Sequence, residues 1–275
     1  MVAEQDWEHA AVGASNLSEL HVARGELRQA EALAADSVRH ADASGDEFLR
    51  LGNRTTHADA LFRLGELARA RELFEAAEAI QKKRQPQYDL LYSLWGHRYC
   101  NMLLAAGEPR EVERRARRTL PWMEGAGWLL DIALDQLSLG RAALALDPSN
   151  PAAAAPYLQR AVDGLRHAGD QEHLIPGLLT RAELRRLELD LSAAERDLAE
   201  AAKLTRRSGF RLFDADVALE RARLFVAQGR SDDARAALAR AAELVEKMSY
   251  GLRRAEVERL REELGARHGS PVAPR

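Results

Sequence analysis

The sequence predicts an all-α solenoid built from consecutive helical hairpins, and three observations lead to that prediction. A turn with Gly followed by a charged residue recurs within segments 23–30, 63–70, 103–112 and 227–234. A small residue stands seven positions before each turn glycine. The composition is rich in Ala, Leu, Arg and Glu with 5% aromatic residues, which suits helix almost everywhere, and no stretch alternates long enough to predict a strand.

Two columns of small residues set the length of the repeat. The column in the first helix of each hairpin, called the A helix, is Ser18, Ala58, Cys100, Gly140, Ala182 and Ala222, spaced 40 to 42 residues apart. The column in the second helix, the B helix, is Ala30, Ala70, Val112, Ala154, Ala194 and Ala234. Small side chains on facing helices let two helix axes approach closely. The spacing therefore predicts a right-handed superhelix of six hairpins.

These hairpins predict one superhelical domain over residues 1–267. The repeats are expected at about 5–44, 46–84, 86–126, 127–169, 170–209 and 210–250, followed by a charged cap helix at 252–267. Glycines at positions 45, 127, 169 and 209 are expected to end B helices in the left-handed conformation. Residues 268–275 are expected to form a disordered tail.

Four local features carry predictions of their own. Asp46 is expected to cap the helix that follows it, and Ser192 with Glu195 is expected to form a capping box. The A helix of the third hairpin is expected to begin near Tyr88, and Pro121 to end or bend the B helix of that hairpin.

The sequence contains no motif for a common catalytic chemistry. The patterns GxxxxGK[ST], GxGxxG, GxSxG, HExxH and CxxC are absent, and no two of the eight His residues are four positions apart. The single cysteine, Cys100, belongs to a small-residue column, which favours a buried packing thiol over a nucleophile. We therefore expect a protein that is not an enzyme, with no catalytic residues, no cofactor and no metal site.

The charge pattern argues against a nucleic-acid or membrane partner. The net charge is −3, with 40 basic and 43 acidic residues. The arginine-rich stretch 110–118 contains Glu111 and Glu113, which predicts a solvated helix face. The start of the chain lacks a signal-peptide pattern, and no run of about 18 apolar residues occurs, so a soluble, cytoplasmic protein is expected.

The concave groove of such a superhelix is the candidate site for a protein or peptide ligand. Its wall should be formed by the A helices, mainly by the residue after each member of their column. The candidate partner-binding residues are Glu19, Thr55, Asp59, Tyr92, His97, Arg98, Asn101, Arg141, Glu183, Arg186, Asp216 and Arg223. This set is polar and changes sign along the array, so it could fix the register of an extended or helical segment. For Tyr92, a place in the core is the alternative interpretation.

A small residue in helix A, a Gly-Asp/Glu turn and two alanines in helix B together resemble the tetratricopeptide repeat (TPR), over nearly the whole chain. The units of 40 to 42 residues are longer than the usual TPR unit and match the length of HEAT or armadillo units, which would not explain the small-residue columns. TPR proteins that clamp a C-terminal carboxylate use Lys and Asn on consecutive A helices. Only Asn101 matches that pattern here.

Two passages resemble a narrower group. LLYSLWGHRYCNMLLAAGEPREVERRA and GLLTRAELRRLELDLSAAERDLAEAAKLTRRSGFRLFDADVALERARLFVAQGRSDDA are similar to the C-terminal TPR sensor arrays of bacterial STAND/NACHT (NLR-like) signal-transduction ATPases. That resemblance implies a sensor for a protein or peptide, often in antiphage defence, with a fused ATPase or effector outside this chain. A peptide-binding transcriptional or quorum-type regulator and a general scaffold are the alternatives.

Overall fold

The computed structural model describes residues 4–266, and within that range every regular element is helical. The α-helices are α1 (Glu4–Arg24), α2 (Leu27–Ser44), α3 (Glu47–Arg63), α4 (Leu67–Arg84), α5 (Ser93–Ala105), α6 (Pro109–Ala126), α7 (Leu129–Leu146), α8 (Ala155–Ala168), α9 (Gln171–Leu187), α10 (Leu191–Ser208), α11 (Leu212–Ala227), α12 (Ser231–Lys247) and α13 (Arg254–Ala266). Short 3-10 turns at Pro151–Ala154 and Gly251–Arg253 precede α8 and α13. Helices that are neighbours in sequence pack together, which confirms the all-α solenoid.

The small-residue columns lie in the interfaces between helices, as the repeat pattern predicts. In the A-helix column, Ser18 and Ala58 are fully buried and Cys100 is 4% exposed. A Cβ added at Gly140 would lie 2.4 Å from Cδ2 of Leu158 on α8, so the Leu158 side chain would have to move to admit a larger residue there. The count of six repeats and their boundaries stay predictions.

The glycine ends of the B helices and the Asp46 cap are confirmed, and the predicted capping box is wrong. The glycines at positions 45, 127, 169 and 209 all have φ between 71° and 75° and end B helices. Asp46 caps α3, with its carboxylate accepting the Leu49 N–H at 2.7 Å. The capping box at Ser192 is not formed, because Asp190 caps α10 by accepting the Ala193 N–H at 3.0 Å. Ser192 therefore lies inside the first turn of that helix.

The A helix of the third hairpin begins later than the sequence predicts. α5 starts at Ser93 because residues 85–92 form a connection held by side chains of α4. Gln81 donates to the carbonyl of Tyr88 at 3.1 Å, and Glu78 accepts the Leu91 N–H at 2.9 Å. These side chains provide hydrogen-bonding partners for two backbone groups of a segment that is not helical.

Pro121 does not end its helix. α6 continues through Pro121 to Ala126, and α9 likewise contains Pro176 in its interior.

The predicted cap helix is present as α13, whereas the predicted tail at 268–275 lies outside the described residues. No helix in the described range is both long and apolar enough to cross a membrane.

The two ends of the solenoid pack against each other, which the repeat pattern does not indicate. α1 contacts α11, and α3 contacts the 3-10 turn before α13. Val22 and Leu27 of the first hairpin share an apolar cluster with Leu219 and Met248 near the other end. Closure of the array turns the predicted open groove into a central cavity.

Replacing Leu189 with Gly is expected to stabilise the fold. Leu189 has φ of 63°, the left-handed conformation that Gly65 and Gly229 adopt in equivalent turns, and its side chain is 76% exposed. The left-handed conformation costs Leu about 1–2 kcal/mol of folding free energy. Gly avoids this cost, but its greater freedom in the unfolded chain offsets about 0.5–1 kcal/mol of the gain. We expect Leu189→Gly to raise the unfolding free energy in urea by about 0.5–1 kcal/mol. Leu187→Gly, at an exposed helical position, should lower it; a decrease for Leu189→Gly as well would contradict the strain argument.

Candidate functional site

The A helices line a cavity of about 840 Å³. Its wall is formed by α3, α5, α7, α9 and α11, and the 3-10 turn before α13 and α13 itself complete it. The volume is within the range of about 300–1,000 Å³ that is typical of ligand pockets. The cavity is therefore large enough for a short peptide segment but not for a folded protein.

Eight of the predicted partner-binding residues line this cavity. They are Asp59, His97, Arg98, Asn101, Arg141, Glu183, Asp216 and Arg223. Glu19 is held beside the wall by Arg98, whose Nη2 lies 2.7 Å from its carboxylate. Arg186 binds Glu220 at 2.6 Å and lines an adjacent depression.

The other two predicted residues, Thr55 and Tyr92, lie away from the cavity wall. Thr55 is fully buried, and its hydroxyl donates to the carbonyl of Gly52 at 2.7 Å. Tyr92 lies in the connection before α5, so the helical periodicity used for its prediction does not apply to it. Its ring packs instead against Tyr88 and Trp122. Neither side chain is available to a ligand in the cavity.

Sequence reasoning missed several charged residues of the wall. Arg63 and Glu220 belong to the same A-helix faces as Asp59 and Arg223, at i+4 and i−3, and that spacing could have indicated them. The remaining missed residues are Glu172, Arg253, Glu256 and Arg259. Arg253, Glu256 and Arg259 follow the last hairpin and line the cavity only because the ends of the array meet.

Ion pairs neutralise most of these charges. Arg253 binds Asp216 at 2.6 Å, and Arg253 and Arg223 both bind Glu256 at 2.5 Å. Burial alone would raise the pKa of Glu256, but the two guanidinium groups lower it to about 2. Arg63 and Asp59 form another pair, at 2.9 Å. These pairs fix the shape of the wall and leave little net charge on it.

Four charged residues of the wall, Arg141, Glu172, Glu183 and Arg259, form no ion pair within residues 4–266, and two of them, Arg141 and Glu183, influence each other electrostatically. Arg141 donates to the side-chain oxygen of Asn101 and forms no ion pair with any described residue. Burial, with the nearby charge of Arg253, lowers the pKa of Arg141. Glu183 has no ion pair within the described range, and its carboxylate accepts no hydrogen bond there; burial and Glu220 raise its pKa. Two opposite charges thus face the cavity without a charged partner in contact.

Two groups that could take part in acid-base or nucleophilic chemistry are held in their neutral forms. His97 is buried, with Nδ1 3.1 Å from the Ser138 hydroxyl, and burial together with His173 lowers its pKa well below the usual range. Burial raises the pKa of Cys100 to about 12, so its thiol stays protonated near neutral pH. Residues 4–266 contain no group of three or more His, Cys, Asp or Glu side chains that could hold a metal ion.

The arginine-rich stretch of α6 is mainly a solvated face, as expected. Arg114 and Arg117 are exposed and pair with Glu111 and Glu113 at 2.6 and 2.8 Å. Arg115 is the exception, because its side chain is only 4% exposed. The pairing with glutamate neutralises the charges of Arg114 and Arg117.

Asp135 is expected to make stability fall with rising pH. Its carboxylate is 7% exposed and accepts from the Thr119 hydroxyl at 2.8 Å. Burial raises the pKa of Asp135 to about 7, against the lowering effect of Thr119 and with a small contribution from Asp131. An unfolded Asp has a pKa of about 3.9, so the folded state retains a proton that the unfolded state has lost between pH 4 and 7.

The Asp135→Asn variant should remove this dependence while still accepting from Thr119. From pH 5 to 7, wild type is expected to lose about 2 kcal/mol of stability relative to the variant, as measured by urea unfolding. Asp163→Asn is the control, because that side chain is 58% exposed. If the unfolding free energies of wild type and Asp135→Asn change with pH in the same way, the folded state does not retain a proton on Asp135.

No family model matches the chain, and the curated proteins contain no match to it. The fold and the site nevertheless define a class: the chain is an all-α helical solenoid with a charged internal cavity.

Proposed function

We propose that the chain is a TPR-like, non-enzymatic binding module that takes a short peptide, or an exposed segment of a protein, into its central cavity. One observation carries the proposal: charged side chains from five successive A helices converge on one cavity of about 840 Å³. A peptide offers both signs of charge and backbone hydrogen-bonding groups at regular intervals. Charges spread along the wall therefore suit a peptide better than a compact apolar ligand.

The resemblance to STAND/NACHT sensor arrays suggests a biological role for this binding. In that role the module would sense its ligand for an ATPase or effector outside this chain, in signalling or antiphage defence. A peptide-binding transcriptional or quorum-type regulator, or a scaffold, would use the same cavity in the same way. Binding of a peptide in the cavity is therefore the step to test first.

Blocking the cavity tests the proposal. Ala105 and Ala106 are adjacent exposed residues at the end of α5, and only Ala105 lines the cavity. A mixed hexapeptide library would be equilibrated with the full chain, retained peptides identified, and their affinities measured by isothermal titration calorimetry. We expect saturable one-to-one binding that is lost in Ala105→Trp and kept in the matched control Ala106→Trp. Retention of no peptide, or equal binding by both variants, would contradict a peptide site in the cavity.

A further inference from the structure

Two of the unpaired charges of the cavity lie at equivalent positions on successive A helices. Arg141 follows Gly140 on α7, and Glu183 follows Ala182 on α9, so both come directly after a member of the A-helix column. The two helices are in contact. Both side chains are half-buried and line the same cavity. Their equivalent register places them side by side along the wall.

Among the other charged residues of the wall, Glu172 and the exposed Arg259 also lack an ion pair within residues 4–266, but neither follows a member of the A-helix column. Arg63, Arg223 and Arg253 each contact at least one carboxylate within the array. Arg141 and Glu183 influence each other electrostatically, yet no N–O distance between them is 4.0 Å or less. The fold thus leaves one cation and one anion close together without letting them neutralise each other. Partly desolvated charges in this state gain most from a partner that brings matching groups.

Building on the proposed function, we infer that Arg141 and Glu183 form a dipolar subsite that selects peptides in which a carboxylate lies close to a cationic group. The carboxylate of the ligand binds the Arg141 guanidinium, and the cationic group of the ligand binds Glu183. Alternate side chains of an extended peptide project from one side roughly 7 Å apart. The axes of packed helices are about 8–10 Å apart. An acidic and a basic side chain two positions apart in the peptide therefore have a spacing that suits Arg141 on one helix and Glu183 on the next.

Defined peptide pools test the charge requirement. Acetylated and amidated hexapeptide pools with mixed flanking residues would carry Asp-Ala-Lys, Asp-Ala-Gln, Asn-Ala-Lys or Asn-Ala-Gln at their centre. We expect the Asp-Ala-Lys pool to bind at least roughly 10-fold more tightly than each of the other three, since charge-assisted hydrogen bonds are involved. A further pool, Asn-Ala-Gln with free termini, distinguishes terminal charges from side-chain charges. Preferential binding of that pool would contradict the dipolar subsite, because the termini of an extended hexapeptide lie about 17 Å apart and not side by side.

Variants test the two residues. Arg141→Met and Glu183→Gln are each expected to reduce binding of the preferred pool to the level of the singly charged pools. The double variant Arg141→Glu with Glu183→Arg should regain at least part of the preference for the Asp-Ala-Lys pool. If the two residues had only a structural role, the exchange would not restore that preference. Arg240→Met and Glu243→Gln are the controls, since these residues form an exposed pair on α12 away from the cavity, and they should bind like wild type.

The melting temperature without ligand provides an independent measurement. Arg141→Met should melt at the same temperature as wild type or higher, because it removes a cation that no carboxylate contacts. A marked loss of melting temperature would overturn the inference, since it would show that Arg141 is needed for the fold.

Equal affinity for all pools, with Ala105→Trp still blocking them, would overturn the dipolar subsite and keep the proposed function. Absence of binding by every pool would overturn both.

Discussion

Arg115→Ala is expected to lower the free energy of unfolding by about 3–5 kcal/mol, the range for removing one partner of a buried ion pair. The Arg115 guanidinium contacts the Glu78 carboxylate with both terminal nitrogens, one of them at 3.0 Å, and lies 4.4 Å from the centre of the Tyr99 ring. Glu78 also accepts the Leu91 N–H at 2.9 Å. Truncation of Arg115 would leave this carboxylate without its cation in the interface of the second and third hairpins.

The neighbouring residue provides a matched control. Arg114 is on the same helix but is 58% exposed, and it pairs with Glu111 three residues earlier. Arg114→Ala should therefore change stability by less than about 0.5 kcal/mol. Urea unfolding of the two variants measures the difference in their unfolding free energies, calculated from the two midpoints with the same dependence on urea concentration for both. Similar effects of the two substitutions would contradict the buried role of Arg115.

Gly251→Ala is expected to separate the two ends of the solenoid. A Cβ at position 251 would lie 2.0 Å from the carbonyl oxygen of Leu64 and 2.7 Å from its carbon. Both are backbone atoms, so no side chain can rotate away to relieve the clash. We expect a loss of about 3 kcal/mol of stability, at the upper end of overpacking effects, and a larger radius of gyration in small-angle scattering.

The same substitution at a glycine with free space is the control. Gly13 lies within α1, and a Cβ there would meet no heavy atom within 4 Å. Gly13→Ala should raise stability by up to about 1 kcal/mol through helix propensity. A Gly251→Ala variant as compact and stable as wild type would show that the contact between the ends is absent in solution.

The repeat pattern predicts local structure and orientation well because both depend on short-range sequence. Small residues at fixed intervals bring hairpin helices together, and their position fixes which side of each A helix faces inward. Asn101, Arg141 and Glu183 were placed on the inner wall in this way, and all three line the cavity. Left-handed Gly45 and the Asp46 cap likewise depend only on nearby residues.

Features that depend on distant parts of the chain could not be predicted. Contact between the first and last hairpins results from small rotations accumulated over the array, which no single motif encodes. Tyr92 lies outside the cavity because the connection before α5 is held by Gln81 and Glu78 from the preceding helix. Which charges remain unpaired also depends on side chains from several helices. The contrast between Arg141 and Arg223 is therefore not visible in the sequence.

One distance tests the central claim, closure of the array around a cavity, most directly. Spin labels would be attached at Arg28→Cys and Lys247→Cys, both exposed and close to the contact of Gly25 with Met248. Cys100 would be replaced by Ala, the residue found in that column at positions 58, 182 and 222. Double electron-electron resonance should give a single short distance between the labels. A long distance, of the order of the length of the array, would contradict closure and with it the enclosed site.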